Sequence, residues 1–156
     1  MSIQSLQKAV FAISILAVGL FAAENPFAGT WKVNGAKSKL TGSGIGASGG
    51  VRIESDGKSY KASVDTTDEK GQPLKFDYEV TLDGKPSKVT GSTGMDELSL
   101  KRVNDHTIDG TAKKGGKVVY TDKRTVSPDG KTYTISRNGA SPDGKKYHAT
   151  IVFDKQ

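Results

Sequence analysis

Leu74, Phe76, Tyr78, Val80 and Leu82 alternate with Lys75, Asp77, Glu79 and Thr81. Successive side chains on a strand point to opposite faces. The run is therefore a strand with one buried face and one wet face. Such a strand has to bury its apolar face and hide its edges, so it demands partners of its own kind.

The same rhythm runs through most of the chain. Ala28 to Val33 reads as a first strand. Val51-Arg52-Ile53 has period two and ends at Ser55-Asp56-Gly57-Lys58. Tyr60, Ala62 and Val64 repeat the alternation, and Asp68 to Pro73 turns the chain. Asp83-Gly84 reads as a hairpin-type turn. A weaker strand near Ser87 to Thr90 precedes Glu97 to Val103, with Leu98 and Leu100. Asn104-Asp105 turns into Thr107 to Ala112, and Lys114-Gly115-Gly116-Lys117 turns again. Val118, Tyr120, Arg124 and Val126 share a parity, as do Tyr133, Ile135 and Arg137. The last strand carries Tyr147, Ala149, Ile151 and Phe153. Units of roughly a dozen residues leave little room for crossover helices. A sandwich of two sheets would bury these faces, but sequential hairpins favour closure. The expected fold is all-β, an antiparallel up-and-down barrel of about 8–10 strands.

Ser127-Pro128-Asp129-Gly130-Lys131 recurs as Ser141-Pro142-Asp143-Gly144-Lys145, 14 residues later. Proline presets φ at the first corner, and glycine takes the positive φ that follows. Propeller blades also carry such turns but repeat at about 40–45 residues. The short interval means neighbouring hairpins.

Residues 1–23 read as a secretory signal peptide, with Lys8 the lone charge and Ala9 to Ala23 an uncharged apolar run. The run is shorter than the roughly 20 residues that span a bilayer. The alternative is an uncleaved anchor. Fold reasoning starts at Glu24, and 24–156 form one domain. Lys37 to Gly50 is rich in Gly and Ser and reads as a long loop, either folded over a barrel mouth or disordered.

The chain has 156 residues and no cysteine, which excludes disulfides, thiolate metal sites and a lipid-modified N-terminal Cys. With His106 and His148 the only histidines, a multi-histidine metal site is not expected. The net charge is +6, but most lysines lie in or beside turns among acids, as in Asp83-Gly84-Lys85 and Asp122-Lys123. We read them as a solvated surface rather than a nucleic-acid footprint. Gly42 to Gly46 follows no clear strand and opens no helix, so it is not a phosphate cradle. Asp68-Glu69 and Asp96-Glu97 are adjacent carboxylates, which a strand sends to opposite faces. Ser127 and Ser141 serve turns, and His148 falls on the outer parity. The expectation is no enzyme, no cofactor and no metal.

One constellation remains. Arg102 shares parity with Leu98 and Leu100, Arg124 with Tyr120 and Val126, and Arg137 with Tyr133 and Ile135. In a small barrel the apolar face points inward. An unpaired buried guanidinium is costly, so each requires a carboxylate, carbonyls, Trp31 or an anionic ligand. The alternative is that these arginines snorkel to solvent or that one packs on Trp31. Arg102, Arg124 and Arg137, with Tyr78, Tyr120 and Tyr133 on inner faces, form the candidate ligand-binding set.

The opening Phe27-Ala28-Gly29-Thr30-Trp31-Lys32-Val33 resembles the start of the fatty-acid-binding proteins and the Gly-x-Trp signature of the lipocalins, both calycin barrels. The resemblance implies that Trp31 packs across the closed end, often under an arginine from a late strand. It implies too that Gly29 permits close backbone approach. From Glu24 on, the chain is also similar to small secreted bacterial lipocalin-like proteins that open with GTWK and carry DGK turns. It departs from the fatty-acid-binding proteins in two places. A Gly-rich loop stands where they carry a two-helix lid. Their last strand holds an Arg-x-Tyr pair, whereas Tyr147 to Phe153 holds no arginine. Together with the signal peptide, the resemblance leads to the expectation of a secreted or periplasmic binding protein, a monomer, for a small, largely apolar ligand, an anionic amphipath among the candidates. No nucleic-acid partner is expected, and no stable membrane insertion after signal cleavage. The alternative is a non-catalytic envelope or interaction protein whose barrel is filled by side chains. Cavity volume separates the two.

Overall fold

A computed structural model describes residues 24–156. The signal-peptide assignment to 1–23 lies outside the described residues. The described residues form ten strands: β1 (Gly29–Val33), β2 (Gly49–Ser55), β3 (Ser59–Thr67), β4 (Pro73–Thr81), β5 (Asp83–Lys88), β6 (Glu97–Asn104), β7 (Thr107–Lys114), β8 (Lys117–Val126), β9 (Thr132–Ala140) and β10 (Lys146–Lys155). They make one antiparallel sheet in the order β4-β3-β2-β1-β10-β9-β8-β7-β6-β5. All neighbours are consecutive in the chain except β1 and β10, whose pairing brings the two ends of the described chain together. The sheet curls around one core into a nearly closed barrel. Trp31, Tyr60, Leu98, Leu100, Ile108 and Ile151, one to two from each of several strands, are fully buried inside it.

The seam lies between β4 and β5. Neither pairs with the other, and Asp83-Gly84 is not the hairpin turn that its residues imply. The local chemistry is that of a turn: Asp83 Oδ1 accepts from Lys85 N at 3.0 Å, and Gly84 has φ +84°. Turn chemistry sets the corner, however, and leaves open whether the flanking strands then pair. Leu82 links the two sheet ends through its backbone, donating its N–H to Lys58 O (2.7 Å) and accepting from Arg102 N (3.0 Å). A second correction concerns Val118. It is 55% exposed although its parity in the sequence matches inward-facing Tyr120. The β7–β8 register slips between Ala112 and Lys113, and a bulge of this kind turns the residues beyond it to the other face.

The two Ser-Pro-Asp-Gly segments are the β8–β9 and β9–β10 hairpin turns. Gly130 N donates to Ser127 O and Gly144 N to Ser141 O, each at 2.8 Å. His148 is exposed, beside Asn138. The outer face carries cross-strand pairs such as Lys75–Asp65 at 3.1 Å and Lys123–Asp109 at 3.8 Å.

One end of the barrel is packed solid. Trp31 is 0% exposed, and its Nε1 donates to Phe27 O at 2.9 Å. Its ring lies 5.5 Å from that of Tyr133, which in turn packs on Phe27 at 5.8 Å and Phe153 at 5.1 Å. The cation over Trp31 is not an arginine: Lys155 of β10 holds its Nζ 5.0 Å from the ring centroid and donates to Ala28 O at 2.9 Å. Gly29 makes room for it. Its φ is +135°, and a Cβ there would lie 2.9 Å from Lys155 Cε.

At the other end the Gly-rich segment folds over the mouth. A 3₁₀ turn, Gly35–Lys37, is capped by Asn34, whose Oδ1 accepts from Lys37 N at 3.1 Å. Beyond it Leu40 and Ile45 pack against the core. Gly44 N donates to Glu69 Oε1 at 2.9 Å and Gly46 N to Thr67 O at 2.7 Å, tying the loop to the turn between β3 and β4.

Candidate ligand cavity

Between the packed end and the mouth loop lies a cavity of about 310 Å³. Its walls are largely aromatic and aliphatic. Tyr60 and Val64 come from β3, Phe76 and Tyr78 from β4, Tyr120 from β8, Tyr133 and Ile135 from β9, and Phe153 from β10. Ile45 of the mouth loop and Met95 of the β5–β6 loop close it from above. Tyr60 stacks on Tyr78 and Tyr78 on Phe76, both at 6.1 Å between ring centroids. The hydroxyls of Tyr60 and Tyr133 meet at 3.1 Å. Burial away from water raises the ionisation of both phenols above the ordinary tyrosine range, so they stay neutral.

Two guanidinium groups reach the wall of this chamber, and one carboxylate lies behind them. Arg124 is 2% exposed and binds Asp122 through Nε (3.1 Å) and Nη2 (3.2 Å). Its Nη1 donates to Tyr78 Oη at 2.9 Å. Arg137 Nη2 donates to Asp122 Oδ2 at 3.2 Å, and its guanidinium lies 3.8 Å over the Tyr120 ring. The strands bring these groups together by register. Asp122 of β8 stands directly opposite Arg137 of β9, and Arg124 opposite Ile135. On its other side Asp122 faces Gly110 of β7. A Cβ at Gly110 would come within 2.2 Å of Asp122 Oδ1, so only glycine leaves the carboxylate its place. Burial works to raise the Asp122 ionisation, but Arg124 and Arg137 outweigh it and hold the carboxyl below the usual aspartate range.

Five of the six residues expected to bind ligand border this one cavity: Tyr78, Tyr120, Tyr133, Arg124 and Arg137. Arg102 does not. Its parity is inward, but it sits near the end of β6, past Leu100, where the barrel runs out. Its side chain is 41% exposed and pairs with Asp105 in the following turn. Parity sets which way a side chain leaves the strand, but only position along the barrel decides whether core lies there. Asp122 and Tyr60 are the additions. Asp122 carries the same parity as Tyr120 and Arg124, a signal in plain view. Read with Lys123 as surface charge, it is instead 5% exposed and central. Tyr60 belongs to an inward alternation with Ala62 and Val64 and shares its hydroxyl with Tyr133.

No family model matches the sequence, and no curated protein matches it. The fold does match. The crystal structure of the zebrafish ileal bile acid-binding protein complexed with cholic acid superposes with a TM-score of 0.56 at 10% sequence identity, covering 84% of this chain and 99% of that one. At that identity the likeness shows the fold alone: this chain shares the antiparallel barrel architecture of that protein.

Proposed function

We propose that this chain is a secreted or periplasmic binding protein whose barrel holds a small, largely apolar ligand with an anionic head. The observation that carries the reading is a cavity of about 310 Å³ walled by aromatic side chains with two buried arginines in its lining. A side-chain-filled barrel would leave no such space. The volume lies near the lower end of ligand sites, which run from roughly 300 to 1,000 Å³. Apolar walls supply affinity through desolvation, and convergent donors fix orientation. A structural neighbour is itself a bile acid-binding protein, complexed with cholic acid. Export is supported by the apolar run Ala9–Ala23 and the small residues that end it.

The test is intact mass under native conditions, on protein purified from its own host. We expect a polypeptide that begins at Ala23 or Glu24 and carries a retained small molecule. A bulk species that starts at Met1 or Ser2 would remove the export reading. Protein that is empty, and that also binds none of a panel of apolar amphipaths, would return the barrel to the alternative of a non-catalytic envelope or interaction protein.

A further inference from the structure

We propose that Asp122 sets the charge of the ligand's head group, and that the site selects a monoanion over a neutral or dianionic head. The proposal rests on the ligand-binding reading above and deepens it. Three buried ionic groups make the cluster, Arg124, Asp122 and Arg137, with relative exposures of 2%, 5% and 6%. Two positive charges share one negative charge, so the cluster carries a net +1. Arg124 and Arg137 both border the cavity, whereas Asp122 does not. The ligand therefore meets guanidinium, and the carboxylate acts from behind.

The donor inventory agrees. Each guanidinium has five N–H groups in a planar fork. Arg124 spends three of its donors on Asp122 and Tyr78, and Arg137 spends one on Asp122. Arg137 Nε is buried and donates to no oxygen among the described residues. Donors remain on both side chains for a further acceptor. One other acid, Asp68, borders the chamber; it belongs to the turn between β3 and β4, where its Oδ1 accepts from Lys70 N and Gln72 N, both at 2.8 Å. A buried charge is costly unless paired. One negative charge brings the cluster to zero, a neutral head leaves it at +1, and a dianion overshoots to −1.

The experiment is calorimetric titration with four probes that share one chain: octanol, octyl sulfate, octyl phosphate and octyltrimethylammonium. Wild type is expected to bind octyl sulfate about tenfold or more tighter than octanol, the effect of one charge-assisted hydrogen-bonded pair. Octyl phosphate loses its second proton at about pH 6. It should bind wild type more tightly at pH 5, as the monoanion, than at pH 8, as the dianion, while octyl sulfate stays constant. Asp122→Asn raises the cluster to +2 and should reverse that preference toward the dianion. Arg137→Gln neutralises the cluster and should bring octyl sulfate and octanol level. The wild-type comparison needs no variant and so survives any folding defect. Equal affinity of wild type for all four heads would overturn the role of Asp122 and leave the binding cavity standing, as would tighter binding of the dianion at pH 8. Failure of every probe to bind would overturn both readings together.

Discussion

The two halves of this barrel use the same residue types for opposite ends. In the closed half, Phe27, Trp31, Tyr133 and Phe153 touch ring to ring, and Phe27 and Trp31 do not border the cavity at all. In the open half, Leu74, Phe76 and Tyr78 point inward from β4 yet stay only half buried. The closed half has β1 and β10 paired across it, with Lys155 and the Phe27 carbonyl holding the tryptophan from two sides. The open half borders the seam where, among the described residues, β4 lacks a partner on one edge. An aromatic side chain that meets other rings on all sides stabilises the fold. The same side chain facing a gap leaves surface for something else to cover.

That contrast can be broken by substitution. Trp31→Ala should have the largest effect, on the order of 3–5 kcal/mol, since a fully packed ring is removed with no route for collapse. The check is the denaturant midpoint at constant m, and a midpoint close to wild type would mean that Trp31 does not hold the closed end. Asp122→Ala should cost on the order of 3–5 kcal/mol as well, because it strands two buried guanidinium groups. The same pair gives the protein a defined acid response. The folded-state ionisation of Asp122 lies below its ordinary value of 3.8. Its contribution is therefore complete above that value and is lost as pH falls through the folded-state value. Stability measured from pH 6 down to pH 2 should fall at the acid end in wild type, with a shallower fall in Asp122→Asn.

Smaller effects belong to the open half. Tyr78→Phe removes the acceptor for Arg124 Nη1 and should cost about 1 kcal/mol of stability. Its larger consequence should be weaker binding of an anionic probe, because Arg124 loses one of its positioning contacts. A variant that loses stability but binds octyl sulfate as wild type does would place Tyr78 with the packed half instead. Arg102→Ala should change stability by no more than about 0.5 kcal/mol and leave probe affinity unchanged, since its partner Asp105 lies in an exposed turn. A marked loss of affinity in that variant would reunite the three arginines that the fold separates.

Much of this was legible in the order of residues. The alternation from Leu74 to Val80 appears in the structure as inward-facing positions separated by exposed ones. The two Ser-Pro-Asp-Gly turns fall where their spacing puts them. Trp31 is fully buried at the packed end with Lys155 over its ring, and Gly29 leaves that lysine its room. Such features are local, or repeat with the period of the strand, and backbone geometry enforces them residue by residue.

What the sequence could not determine depends on pairing across the sheet. Asp83-Gly84 carries turn chemistry, but only the closure of the whole barrel left β4 and β5 unpaired. Val118 follows the correct alternation, and only the slip against β7 turned it outward. Asp122 resembles any other surface acid until β9 places Arg137 opposite it and Gly110 of β7 leaves it room. The sequence determined the strands and, away from register slips, their inward faces, because those follow from periods of two. The tertiary structure decided which inward residues share a chamber, because register across strands distant in the chain sets what each of them meets.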